Sequence, residues 1–311
     1  MAVLVRPDWA RPDWARPSDG PRARLAQVNG DQLPDRETSP MRFGDIVARS
    51  VYGTTGLLAG RADLEALEVA ILHNLPVLRE FRQIMVATNY AGVDRGALSD
   101  ANVRLWQSFF PDVVLMDSTI NRGHSIGTSD LDNALFDSCK SSGVPWLCKG
   151  ANDLLLDDSL LDVNVREAQF HYLNAVSYAA LRQNDFDLTK FGSGFLYPQT
   201  TFYAIDVEAT DYLVDKEFLE RSWRIVQRIP DYNGRIWEYI PRWSCEYLLR
   251  QCVLRNGLTT SHLVNDAQWQ QVMRVVVERQ IEDCSFKGLR INGICHAQGL
   301  ADPSEALTVV P

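Results

Sequence analysis

The sequence predicts an α/β fold, a Rossmann-like, mostly parallel sheet flanked by helices, with a more helical C-terminal half. Three observations carry this expectation. Between residues 45 and 148, short β-rich runs alternate with stretches whose apolar residues recur at helical spacing. The runs are separated by glycine-, Asn- or Asp-containing turns. The chain has 311 residues, 46% hydrophobic and 23% charged, enough to bury a full core in one large domain or two smaller ones. We expect one folded unit over 41–311, with halves 41–160 and 161–311.

Residues 1–40 are rich in Pro, Arg, Asp and Gly and contain a direct repeat, Arg6-Pro7-Asp8-Trp9-Ala10 followed by Arg11-Pro12-Asp13-Trp14-Ala15. Such a composition buries too little apolar surface to fold alone, which predicts a disordered tail; the alternative is a docking motif that displays Trp9 and Trp14. The run Asp45–Tyr52 reads as a strand that stops at a turn, Gly53-Thr54-Thr55-Gly56. From Arg61 to Phe81, Leu64, Leu67, Ala70, Ile71, Leu75 and Leu78 recur at helical spacing, with Pro76 expected to kink or divide the helix. Gln83–Thr88 is a short buried strand, and Ser99 is placed as the N-cap of a helix carrying Val103, Leu105, Trp106 and Phe109. Asp112–Met116 is the third strand. Ser129 caps a helix to about Lys140, Gly143 ends it, and Val144–Cys148 begins the fourth strand.

The net charge of −9, with no dense Lys/Arg cluster, argues against a nucleic-acid or anionic-membrane partner. Six cysteines occur without a Cys-x-x-Cys pair, which disfavours a zinc knuckle or redox motif and fits buried thiols in a reducing, cytoplasmic setting. No run of eighteen apolar residues and no N-terminal apolar core is present, so neither a membrane span nor a signal peptide is expected.

In open parallel sheets, ligands bind beyond the carboxyl ends of the strands. Strand three runs into Asp117-Ser118-Thr119-Ile120-Asn121-Arg122-Gly123-His124-Ser125-Ile126-Gly127, a polar loop opening a helix. Its glycines let backbone N–H groups approach an anion, and the helix start adds a positive dipole end; an ordinary strand-to-helix loop is the competing reading. Strand four ends in Lys149-Gly150-Ala151-Asn152-Asp153. A carboxylate and an amide oxygen there are hard ligands suited to Mg²⁺ or Mn²⁺ shared with substrate phosphates. Asn152 or Asp153 could instead cap a helix beginning at Leu154-Leu155-Leu156.

Asn121-x-Gly123, a helix containing Asn133, and a strand ending in a carboxylate together resemble the nucleotide-sugar-dependent glycosyltransferases of the GT-A fold. The resemblance covers roughly Asp45 to Asp158. It implies that the Asn-x-Gly loop and its helix line a nucleotide pocket and that the acidic motif after the next strand holds a metal and the sugar diphosphate. That motif is usually Asp-x-Asp, and here it is Ala151-Asn152-Asp153, which leaves Asp153 as the main metal ligand beside Asn152. The acidic ending of strand two in the largest subgroup is replaced by Thr88-Asn89-Tyr90. Ser50, Tyr52 and Asp117 are therefore placed at the base pocket, with Asn121, Gly123, His124 and Lys149 toward the donor. His296 is a candidate third metal ligand, since some family members supply a late histidine.

In the C-terminal half, Phe195–Asp206 alternates as a strand on what would be the acceptor side. Glu238, beside Trp237, is the candidate general base for an acceptor hydroxyl, because an apolar ring raises a carboxylate toward a base's working range. The stretch from Trp237 through Trp243, Tyr247, Leu248 and Val253 reads as one amphipathic helix, in which Trp237 would be core. His73, His171 and His262 have no neighbouring pattern and are read as structural. The chain is thus expected to move a sugar from a nucleoside-diphosphate sugar to a carbohydrate or small-molecule acceptor with Mn²⁺ or Mg²⁺. The rivals are a metal-dependent nucleotidyltransferase and a non-catalytic nucleotide-sugar-binding or recruitment protein. A dehydrogenase is disfavoured, because no Gly-x-Gly-x-x-Gly follows the first strand.

Overall fold

A computed structural model describes residues 41–91, 94–118, 125–192, 195–214, 227–230, 236–239, 245–282, 286–296 and 306–309. The elements in chain order are β1 (Met41–Arg42), α1 (Phe43–Val47), β2 (Ser50–Leu58), α2 (Arg61–Leu78), β3 (Gln83–Tyr90), α3 (Arg95–Phe109), β4 (Val114–Ser118), α4 (Ser125–Ser141), β5 (Trp146–Ala151), β6 (Leu154–Leu156), β7 (Asn164–Val165), β8 (Phe170–Asn174), α5 (Tyr178–Gln183), β9 (Pro198–Asp206), β10 (Gln227–Pro230), β11 (Ile236–Tyr239), α6 (Cys245–Arg255), β12 (Thr260–His262), α7 (Asp266–Arg279), β13 (Leu289–Ile291), β14 (Ile294–His296) and β15 (Leu307–Val309).

Seven strands form the central sheet in the order β12-β8-β9-β5-β2-β3-β4. Neighbours pair in parallel except on either side of β9, which runs against both β5 and β8. The fold is therefore α/β with a mostly parallel sheet, as the alternating pattern predicts. A second, four-stranded sheet, β15-β13-β14-β6, brings the C-terminal hairpin against the strand that follows β5.

Both faces of the central sheet are covered, and the side-chain period of two decides which residue goes where. Tyr52, Ile84, Val86, Cys148, Phe202 and Ala204 join one apolar cluster with α2, α3 and α7. Val51, Met85, Ala87, Leu147, Tyr203 and Ile205 join the other, under α4 and α6. Along β3 and β9, successive residues thus alternate between two cores.

Several local expectations change. Residues 43–47 are helical, and β2 starts only at Ser50 and runs through Gly53 and Gly56 to Leu58. These glycines mark close approach rather than a turn: a Cβ at Gly53 would lie 2.7 Å from Leu147 Cδ1 and 2.9 Å from Leu135 Cδ1. The chain turns instead at Ala59-Gly60, whose N–H groups donate to the Asp63 carboxylate at 2.7 and 3.1 Å and so start α2. Pro76 lies exposed inside α2, which continues to Leu78. Ser99 and Ser129 fall within α3 and α4, not at their starts, while Gly143, at φ +64°, follows the end of α4 as expected. Leu154–Leu156 is a strand, so Asn152 and Asp153 cap no helix there. The predicted helix from Trp237 divides into β11 and α6.

Candidate active site at the carboxyl edge of the sheet

β5 ends at Ala151, between β2 and β9 at the centre of the sheet, and the chain turns at Asn152-Asp153 into β6. Two features fix that turn. Asn152 N–H donates to Thr55 O at 3.0 Å, and the Asn152 side chain rests on Gly56, where any Cβ would collide with it. On the far side, the buried Asn74 of α2 donates to Leu154 O and accepts from Leu156 N–H, both at 2.7 Å. Its amide thus acts toward β6 as a strand partner would.

Opposite β6 lies β14, and the register pairs His296 with Leu154. Nε2 of His296 sits 3.0 Å from Asp153 Oδ2, across 143 residues of chain. Burial pushes the Asp153 carboxyl up, but the hydrogen bond and charge of His296, with Lys287 near, outweigh it and hold Asp153 below its ordinary value. Its side chain remains 33% exposed, so the carboxylate is both ionised and reachable.

The other predicted residues are distributed differently. Ser50 opens β2 at its amino end, fully buried, with Oγ donating to Ile46 O at 2.5 Å. Tyr52 lies in the core against Phe81, ring centroids 5.2 Å apart, with its hydroxyl over Gly150, and burial drives its pKa upward. Neither reaches the carboxyl edge, because β2 begins later and extends further than expected. Lys149 is also corrected: at 1% exposure it points into the core under α4 and α6, donates to Thr200 O and pairs with Asp132 at 3.6 Å. Burial raises the Asp132 pKa, with Lys149 and the Tyr203 hydroxyl offsetting part of that rise. Such a pair is held by packing and is not offered to a ligand. Asn121, Gly123 and His124 lie outside the described residues, as do the side chains of Asp117 and Glu238, although the backbones of those two belong to β4 and β11.

Two residues that the sequence reading passed over stand at this edge. Asn89, near the carboxyl end of β3, is 3% exposed, and its amide oxygen has no hydrogen-bond partner among the described residues. That oxygen is closed off from solvent, so it is an unmet acceptor packed at the strand end. Glu246, in the first turn of α6, accepts the Thr200 hydroxyl at 3.1 Å and lies 3.4 Å from Cys245 Sγ. Because β9 is antiparallel, Thr200 near its start lies at the carboxyl edge of its neighbours, and Glu246 with it. The available signal was the i, i+4 pair Glu246 and Arg250 at a helix start.

The donors present fit a divalent ion: a reachable carboxylate and an imidazole supply two ligands, and a diphosphate with water would supply the remainder. Among the described residues no group of three or more His, Cys, Asp or Glu gathers to hold a metal by itself. No helix of the described residues is long and apolar enough to cross a membrane.

No family model matches the sequence, and no curated protein matches it. Among solved structures the chain is similar to the galactosyltransferase LgtC in complex with donor and acceptor sugar analogues, at 10% identity and TM-score 0.37, covering 81% of this chain and 88% of that one. It is also similar to a nucleoside-diphosphate-sugar pyrophosphorylase from Vibrio cholerae RC9, at 10% identity and TM-score 0.35 over 68% of this chain and 90% of that one. A mycobacterial protein is similar at 13% identity and TM-score 0.37, over 76% and 74% of the two chains.

Proposed function

We propose that this chain is a GT-A-type glycosyltransferase that moves a sugar from a nucleoside-diphosphate sugar to an acceptor hydroxyl, assisted by Mn²⁺ or Mg²⁺. The observation that carries the reading is the Asp153–His296 pair, two ligand-type side chains from distant parts of the chain meeting at the carboxyl end of a central strand. In sheets of this class that edge is where nucleotides bind. Asp153 and His296 would hold the cation, with Asn152 beside them, and an imidazole in the set favours a transition ion such as Mn²⁺ over Mg²⁺. When bound, the ion offsets charge on the departing diphosphate.

The chain's own groups supply the rest. α4 begins at Ser125, and a helix N-terminus favours the negative charge of a diphosphate; Asp117, Asn121, Gly123 and His124, which precede it in the sequence, would serve the donor there. In an inverting reaction the acceptor oxygen bonds to the anomeric carbon as the bond to the diphosphate breaks, and the hydroxyl proton passes to a carboxylate. Glu238 and Glu246 are the two candidates for that role; the Glu246 carboxylate accepts the Thr200 hydroxyl near the start of β9. Five described cysteines are buried free thiols, which suits a reducing, cytoplasmic compartment.

The test is donor turnover by Asp153→Asn and His296→Ala against the parent, with Mn²⁺ and with chelator. Loss of turnover in both variants and with chelator is expected; unchanged turnover in all three sinks the metal assignment. Release of pyrophosphate from a nucleoside triphosphate and a sugar phosphate would identify a nucleotidyltransferase instead.

A further inference from the structure

A second concavity opens at the same edge, beyond the ends of β8 and β9. It is an open cleft of about 490 Å³, lined among the described residues by Thr189, Lys190, Gly192, Phe195, Leu196, Tyr197 and Arg250. Its floor is fixed by strand ends. Asn174, the last residue of β8, donates to Phe195 O at 3.0 Å and accepts from Tyr197 N–H at 2.8 Å. Arg250 Nε donates to Leu196 O at 2.9 Å, clamping the same three residues from α6. The rings of Phe195 and Tyr197 stack at 6.3 Å with an interplanar angle of 26°, giving the pocket an aromatic wall.

Among the described residues the lining contains two cations and no carboxylate. Two acids among the described residues stand close to these cations along the chain and keep their charge. Asp187, close to Lys190, accepts from the Thr189 N–H and hydroxyl at 3.2 and 2.6 Å, and Glu246, one helical turn before Arg250, accepts from Thr200. Two cations on one cleft, in a chain of net charge −9, are an arrangement that suits an anionic ligand.

Position gives that ligand its role. β9 and β8 follow β5 in the sheet, so the pocket lies about two strand spacings, ~10 Å, from the strand end that carries Asp153. Between the two stands Glu246, on the same helical face as Arg250 and about 6 Å from it. We propose that this pocket binds a phosphate or carboxylate carried by the acceptor, with Arg250 and Lys190 holding the anionic group about one helical turn from the hydroxyl that reacts. The assignment of that hydroxyl as an acceptor rests on the glycosyltransferase reading; the anion site itself does not.

Two titrations separate them. Binding of glycerol 3-phosphate, glyceric acid and glycerol is followed by saturation-transfer NMR, and binding of a panel of nucleoside diphosphates with Mn²⁺ by calorimetry. Glycerol 3-phosphate or glyceric acid is expected to bind at least tenfold more tightly than glycerol, the weight of one charge-assisted hydrogen bond. The order of those two probes tells phosphate from carboxylate. Arg250→Gln and the solvent-exposed Lys190→Gln should each abolish most of that preference and leave nucleotide binding intact. Lys190→Gln guards against a folding defect, since its side chain holds nothing in the core. Equal binding of all three probes, or a preference untouched by both variants, overturns the anion site. Probe binding without nucleotide binding upholds the pocket and removes the donor reading.

Discussion

Lowering the pH from 7 to 5 is expected to destabilise this protein by about 4 kcal/mol through two buried histidines on neighbouring strands. His171 of β8 is fully buried, and Nε2 donates to Ala168 O at 3.1 Å while Trp146 and Phe43 surround the ring. Burial, with the Arg49 charge nearby, pushes its pKa down to about 4. His262 of β12 accepts the Asn174 N–H at 3.0 Å between Tyr172 and Trp269, and burial pushes it down to about 3. Both values lie below the ordinary 6.5, so the unfolded chain takes up these protons first as the pH falls. The stability they lend is complete above about pH 6.5 and is lost progressively toward pH 4 and 3. Over the interval from 7 to 5 each contributes about 2 kcal/mol, a large share of the roughly 5–15 kcal/mol that holds a typical domain. Urea unfolding at the two pH values measures the drop. His262→Gln keeps an acceptor for Asn174, and His171→Gln keeps a donor for Ala168, so each should remove about 2 kcal/mol of the pH-dependent loss. If both variants lose as much stability between pH 7 and 5 as the parent, the buried histidines are not its source.

Two further outcomes are expected. Lys149→Met alone leaves Asp132 buried without its cation and should cost about 3–5 kcal/mol, whereas Lys149→Met with Asp132→Leu should recover most of it; chemical denaturation of the three variants reads the cycle. Gly56→Ala drives a methyl into the Asn152 side chain and should displace the Asn152-Asp153 turn; on the proposed function, nucleotide-sugar binding measured with Mn²⁺ should fall at least tenfold with a far smaller loss in the melting temperature.

Legibility from sequence followed the range of the forces involved. The parallel core was readable because helical and strand periods are local: β3 and α2 lie close to where their apolar residues put them. Gly53 and Gly56 misled because a glycine needed for close approach looks the same as one needed for a turn, and only the positions of Leu135 and Asn152 tell them apart. Leu154–Leu156 was ambiguous for want of length, and its strand identity comes from β14 and Asn74, both far away in the chain. Lys149 looked like a ligand because a lysine at a strand end is usually solvated; its partner Asp132 sits on α4 in a phase that the sequence does not display. Asp153 was placed from its strand, but its contact with His296 depends on a second sheet that no short-range pattern announces.

That contact also sets an order of events during synthesis. The central strands β2, β3, β4 and β5 are complete once Ala151 has been made, yet the carboxylate beside them waits 143 residues for its imidazole. At about 5–20 residues per second the delay is roughly 7–30 s, during which a nascent chain has most of its sheet and an Asp153 without its partner. A ribosome that stalls before residue 296 therefore leaves a protein able to fold much of its core and unable to close its site.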